Sequence, residues 1–200
     1  MIRFREVDEA IPILKSMGIS LVGIEMDMFN DVARRIHGHN IKVVPRITLT
    51  PSTTVELRRR LRRVPRNTLV AVRPGSLEVA RRAAAIRGVH LIQVSRGTSR
   101  IVDRSTHRLF KARGYGAVEL VLNPLVSDFE GYWRFMESVV RRAYAYGVPL
   151  VISSGAGSVW ELWHPRSVSG LLELAGVPPV VGLSWLSNTV HSIVSSILGV

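Results

Sequence analysis

TLVAVRPGSLEVARRAAAIRGVHLIQVS, residues 68–95, holds one full unit of the pattern that decides the fold. Residues 68–72 and 89–94 are short runs of β-branched and other apolar side chains without polar alternation, as strands covered on both faces require. Between them, residues 76–87 carry apolar side chains at helical spacing. Ser76 stands where an N-cap belongs, and Gly88 where a helix ends in a left-handed residue. Strand, helix and strand, with both strands doubly buried, make a parallel βαβ unit, because a parallel return needs a crossover and the crossover helix covers one face.

The same order recurs in both directions along the chain. Strand-like runs lie at 20–26, 41–49, 117–122, 149–153 and 179–183, and helical spacing at 29–37, 53–64, 103–113, 129–146, 165–175 and 185–198. Gly18, Gly38, Gly114, Gly147 and Gly176 fall just after helical segments, Thr53 fits an N-cap, and Pro165 fits a first helical turn. Seven strands are visible, and residues 2–4, ahead of a helix at about 8–17, supply an eighth. The expected architecture is therefore a small TIM-barrel-like (β/α)8 barrel, parallel strands inside and helices outside, forming a single domain over residues 1–200. A seven-stranded or doubly wound open sheet is the alternative.

Apolar residues make up 46% of the 200, enough for a substantial core, and no apolar run is long enough to span a bilayer. Both signs of charge occur among Arg3, Arg5, Glu6, Asp8 and Glu9, unlike a secretory leader. A cytoplasmic chain without a membrane partner is expected. The sequence has no cysteine, which excludes disulfides, thiolate metal ligands and a cysteine nucleophile.

The net charge of +12 is concentrated. Residues 58–113 hold sixteen basic and two acidic side chains, whereas 1–57 hold seven of each and 114–200 hold four basic and six acidic. A localised field of this kind attracts a polyanion, and 24 of the 27 cations are arginines, which grip phosphate bidentately and stack on bases. In VELRRRLRRV (55–64), Leu57, Leu61 and Val64 share one face, so Arg59, Arg62 and Arg63 point to solvent while Arg58 and Arg60 flank the apolar stripe. Few acids stand at helical spacing to pair with these arginines. Arg66, Arg81, Arg82, Arg96, Arg100, Arg104 and Arg108, with Lys111 and Arg113, extend the supply, and consecutive helices of a parallel barrel are neighbours, so these residues form one candidate phosphate-contacting face; a solvated barrel exterior is the plainer alternative, and membrane lipid or an acidic protein partner is also compatible with the charge. SRGTSR (95–100), just after a strand, is a candidate anion cup, though neither a Walker A loop nor a dinucleotide-binding fingerprint occurs.

Catalytic candidates are sparse. Glu25 and Asp27, alternating near a strand end, with His37 and His39, form a nominal metal set for a phosphoesterase or nuclease; the competing reading of both carboxylates is a salt bridge to a neighbouring arginine. His90 and His107 read as structural or solvent-facing. Glu119, inside the apolar run 117–122, must be paired if it points into the barrel. No serine sits in a nucleophile elbow.

The loop SSGAGSVWELWHPR (153–166) leaves a strand end and enters a proline-started helix, which places Ser153, Ser154, Trp160, Trp163, Pro165 and Arg166 on the face where barrel loops form recognition surfaces. The two indoles either cap the barrel against water or anchor a protein or unpaired bases. This corner, together with segment 68–95, AVELVLNPL (117–125) and FEGYWRFMESVVRRAYAYGVPLVISS (129–154), in that order, resembles archaeal ribonuclease P protein component 3, the Rpp30 family. Ser153, Ser154, Trp160 and Pro165 match the family's corner, whereas Trp163 stands at its arginine position, Ser167 at its aspartate position, and the loop before Trp160 is one residue longer.

The resemblance implies a TIM-barrel-like protein subunit of an RNA-based endoribonuclease that removes the 5′ leader of precursor tRNA. The RNA component carries catalysis with Mg2+, and the protein itself binds no cofactor or metal and supplies no catalytic residue. It implies, as partners, the ribonuclease P RNA, a Pop5-like protein and other protein subunits, and precursor tRNA as the substrate of the whole particle.

Overall fold

In the computed structural model, which describes residues 7–198, the βα alternation yields parallel strands lying side by side in sequence order. They are β1 (Leu21–Glu25), β2 (Lys42–Leu49), β3 (Leu69–Val72), β4 (Leu91–Gln93), β5 (Ala117–Val121) and β6 (Leu150–Ser153). The helices are α1 (Val7–Ser16), α2 (Met26–Ile36), α3 (Thr54–Leu61), α4 (Leu77–Ala85), α5 (Arg104–Arg113), the short α6 (Pro124–Ser127), α7 (Phe129–Tyr146), α8 (Pro165–Leu174), α9 (Pro179–Leu186) and α10 (Asn188–Leu198). Thr53 and Ser76 cap α3 and α4 by accepting from the backbone N–H groups of Glu56 and Val79, and Pro165 opens α8.

The sheet does not close. Among the described residues it has six strands and curls into a half-barrel whose edges stand 9 Å apart, so the expected eight-stranded barrel is overturned. The seventh expected strand, 179–183, is the start of α9. Pro179 occupies its first turn, and the run is apolar on every side, so periodicity does not separate a buried strand from a buried helix there. The helix expected at 185–198 divides at Ser187 into the end of α9 and the whole of α10. Residues 2–4, the expected eighth strand, lie outside the described residues.

Strand residues sort by parity into two cores. Val70, Val72, Ile92, Val118, Leu120 and Leu150 face outward and pack beneath Leu57 of α3, Ala80 and Ala83 of α4, Phe110 of α5 and Val139 of α7. Val44, Leu69, Ala71, Leu91, Ala117 and Val151 face inward, where Ile193 and Val194 of α10 cover them. A concave apolar face left open would be wetted; burying two such side chains there favours the folded chain by roughly 1.5–3 kcal/mol each. A third cluster joins Val7, Ala10, Ile11 and Leu14 of α1 to Val32 and Ile36 of α2.

Candidate nucleic-acid interface and the polar mouth of the half-barrel

Towards the C-terminal ends of β2–β6 the same face turns polar: Val44 is followed two residues later by Arg46, Ala71 by Arg73, Leu91 by Gln93, Ala117 by Glu119 and Val151 by Ser153. Glu119 is 0% exposed, and it is paired as its burial demands. Arg46 donates from Nη1 to Oε1 at 2.6 Å and from Nη2 to Oε2 at 2.7 Å, while Ser153 Oγ donates to Oε1 at 2.9 Å. Glu25 accepts from Thr48 N at 3.2 Å and Oγ1 at 2.5 Å, and its Oε1 lies 3.2 Å from Arg46 Nε, the ion pair foreseen for it. Arg73 donates to Gln93 Oε1. Burial pulls the Arg46 guanidinium down, but the charges and hydrogen bonds of Glu119 and Glu25 more than offset this and hold its pKa above the ordinary arginine value.

These groups line a cleft of about 1050 Å³, with Ser153, Ser154, Trp163 and Pro165 also on its wall. Glu119 and Glu25 are consumed by internal partners, whereas Asp27, on the wall of the same cleft, forms no salt bridge among the described residues. Asp27 lies exposed in the first turn of α2 rather than on a strand, and His37 caps the other end of that helix, roughly 15 Å away. His39 Nδ1 is 3.0 Å from Lys15 Nζ. The nominal metal set does not assemble, and among the described residues no three His, Asp or Glu side chains converge as ligands.

Outside the sheet, α3, α4, the 3-10 turn Arg96–Ile101 and α5 are successive neighbours. Arg59, Arg62, Arg63, Arg66, Arg81, Arg82, Arg96, Arg100, Arg104 and Arg108 are all exposed on them or on their connections. Arg81 pairs with Asp103 at 2.7 Å and Arg96 with Asp128 at 2.9 Å; the other eight form no salt bridge among the described residues. Glu56 reaches Arg60 at 2.5 Å, so the arginine helix does contain one i,i+4 pair. Arg113 departs from the expected basic surface. Its guanidinium lies 5.2 Å from the Phe110 ring centre and 4.8 Å from that of Tyr115, and it donates to the carbonyls of Ile86 (2.7 Å), Val89 (3.0 Å) and Tyr115 (3.2 Å). It holds the end of α4, and a Cβ at Gly116 would collide with it.

In SRGTSR the ends of the turn bind each other: Ser95 N donates to Thr98 Oγ1 at 3.0 Å and Thr98 N to Ser95 O at 3.0 Å, while the side chains of Arg96 and Arg100 stand exposed. In the corner, Trp163 is half-buried against the main core and caps it, whereas Trp160, on a 3-10 turn, is 88% exposed. His164 Nδ1 accepts from Arg166 N at 3.1 Å, and the Arg166 side chain is exposed. Arg46, Thr48, Arg73 and Gln93 were not foreseen at the mouth; strand parity, counted from Val44 and Ala71, was the signal that could have found them.

A profile of the RNase P subunit p30 family matches residues 7–198. Ribonuclease P protein component 3 of Aeropyrum pernix is 40% identical over 111 residues, which cover 54% of this chain and 53% of the relative, so the match spans about half the length of that curated protein. A chain in a cryo-EM structure of archaeal ribonuclease P with mature tRNA has a similar fold, with a TM-score of 0.78 and 19% identity over 94% of this chain and 87% of that one. With every described residue inside the matched profile, the chain belongs to the RNase P subunit p30 family.

Proposed function

We propose that the chain is a non-catalytic protein subunit of ribonuclease P, in which the RNA component cleaves the 5′ leader from precursor tRNA using its own Mg2+. The observation that carries this reading, beyond family membership, is the division of the molecule: the outer face of α3–α5 presents unpaired arginines, while at the mouth of the half-barrel Glu25 and Glu119 are spent on ion pairs with Arg46. Arg59, Arg62, Arg63, Arg66, Arg82, Arg100, Arg104 and Arg108, with Arg81 and Arg96 beside them, screen phosphate repulsion as RNA helices pack, and they recognise shape more than sequence. The corner of Ser153, Ser154, Trp160, Trp163, Pro165 and Arg166 serves a protein neighbour, a Pop5-like subunit, with the exposed Trp160 as its anchor. The particle acts in the cytoplasm.

Reconstitution of precursor tRNA processing tests the proposal. With Mg2+, the chain alone should leave the precursor intact, and adding it to the RNA with the other proteins should raise processing. Cleavage by the isolated chain, or full processing without it, would overturn the reading.

A further inference from the structure

We propose that the paired rings of Phe129 and Trp133 form a stacking site for one unpaired base of a bound RNA. This site depends on the RNA face proposed above and adds to it a contact with a base. Phe129 opens α7 and Trp133 follows one turn later, so both rings stand on the same side of the helix. Their planes lie within 6° of each other, with centroids 6.2 Å apart. Trp133 packs on the main core, whereas Phe129 is 60% exposed. A flat ring is therefore held open to solvent on a rigid support, and a base can extend the stack.

The rim indicates nucleic acid as the occupant. Asp128, directly before Phe129, holds Arg96 at 2.9 Å, and Arg96 belongs to the β4–α5 connection that also carries Arg100 onto the basic face. On the next turn, Arg134 pairs with Glu130 at 2.5 Å. All four charged groups are exposed, so the rim is balanced in charge locally and borders a strongly positive surface. An aliphatic protein contact seated on Phe129 would cover both ion pairs and strip their water. A stacked base leaves them hydrated and keeps its phosphate near the Arg96 guanidinium. Because every base has a flat face, the site selects unpaired residues over paired ones without reading sequence.

The intact chain is titrated with a single-stranded RNA and with a blunt duplex carrying the same number of phosphates. Phe129→Ala should weaken single-strand binding by about tenfold and leave duplex binding within about twofold, whereas Phe129→Trp keeps both. Equal loss on both RNAs, or no loss on the single strand, overturns the stack. The combined variant Arg59→Ala, Arg62→Ala, Arg63→Ala should weaken both RNAs and lower the salt dependence. If that triple variant binds both like the parent, the basic face itself is wrong, a failure separate from that of Phe129.

Discussion

Glu119 and Arg46 bring opposite charges into the interior from strands 73 residues apart in sequence. That Glu119 needed a partner was legible from a lone carboxylate in an apolar run; the partner was not, because it depends on how the sheet curls. Glu119→Ala leaves Arg46 buried with only the half-exposed Glu25 beside it and should destabilise the chain by about 3–5 kcal/mol in a urea titration. The double change Arg46→Met, Glu119→Leu should recover most of that loss; a double variant as weak as the single one would show that the pair does more than neutralise itself. His90 gives a second residue-level expectation. Its Nδ1 accepts from Val70 N at 3.0 Å, and burial, followed by the Arg113 charge, lowers its pKa from 6.5 to about 4. As pH falls below 6.5 the unfolded chain takes up a proton that the folded chain refuses. This contribution is therefore neutral above 6.5, erodes stability down to about pH 4 and levels off below, by at most about 3 kcal/mol in total. His90→Gln should lose less stability than the parent between pH 7 and 4.5; equal losses would contradict the assignment.

At the level of elements, the βα alternation was readable because most of the parallel strands are short, largely apolar runs and several helices, α3, α4 and α5 among them, start at a side-chain cap. The same uniformity hid α9, where residues 179–183 have a strand's composition and a helix's position. Closure was therefore overcounted, and the role of α10 as cover for the concave face was invisible from its own sequence. Ile193→Asp, which puts a carboxylate against the inner layer of Leu69, Ala71 and Leu91, should cost about 3 kcal/mol or more in thermal or urea unfolding. A change below the scatter of surface substitutions would mean that α10 does not seal the sheet. Helix α3 is the opposite case, since Leu57 alone is fully buried on it and its arginines contribute little to the fold. Replacing Arg59, Arg62 and Arg63 with alanine should change stability by only about 0.5 kcal/mol each or less, while the slope of log K against log salt for RNA binding falls by roughly 2–3.

Across the whole molecule, charge is separated by side. Residues 58–113 supply the basic outer face, the mouth pairs Arg46 with Glu25 and Glu119, and residues 167–198 carry a single charged side chain, Glu173, apart from His191. This separation was legible in the order of residues alone, because consecutive helices of a parallel sheet are neighbours and local charge in sequence becomes local charge in space. The depth of the mouth and the exposure of Trp160 beside the half-buried Trp163 were not, since both depend on where the open sheet stops. Because the chain lacks cysteine, single reporters can be placed cleanly. Directed hydroxyl-radical probing of the assembled ribonucleoprotein, from an iron chelate tethered at Ser105→Cys on α5 or at Leu174→Cys on α8, addresses the orientation directly. The α5 probe should cut the RNA strongly and the α8 probe weakly or not at all; strong cutting from α8 with silence from α5 would place the arginine face away from RNA and contradict the account.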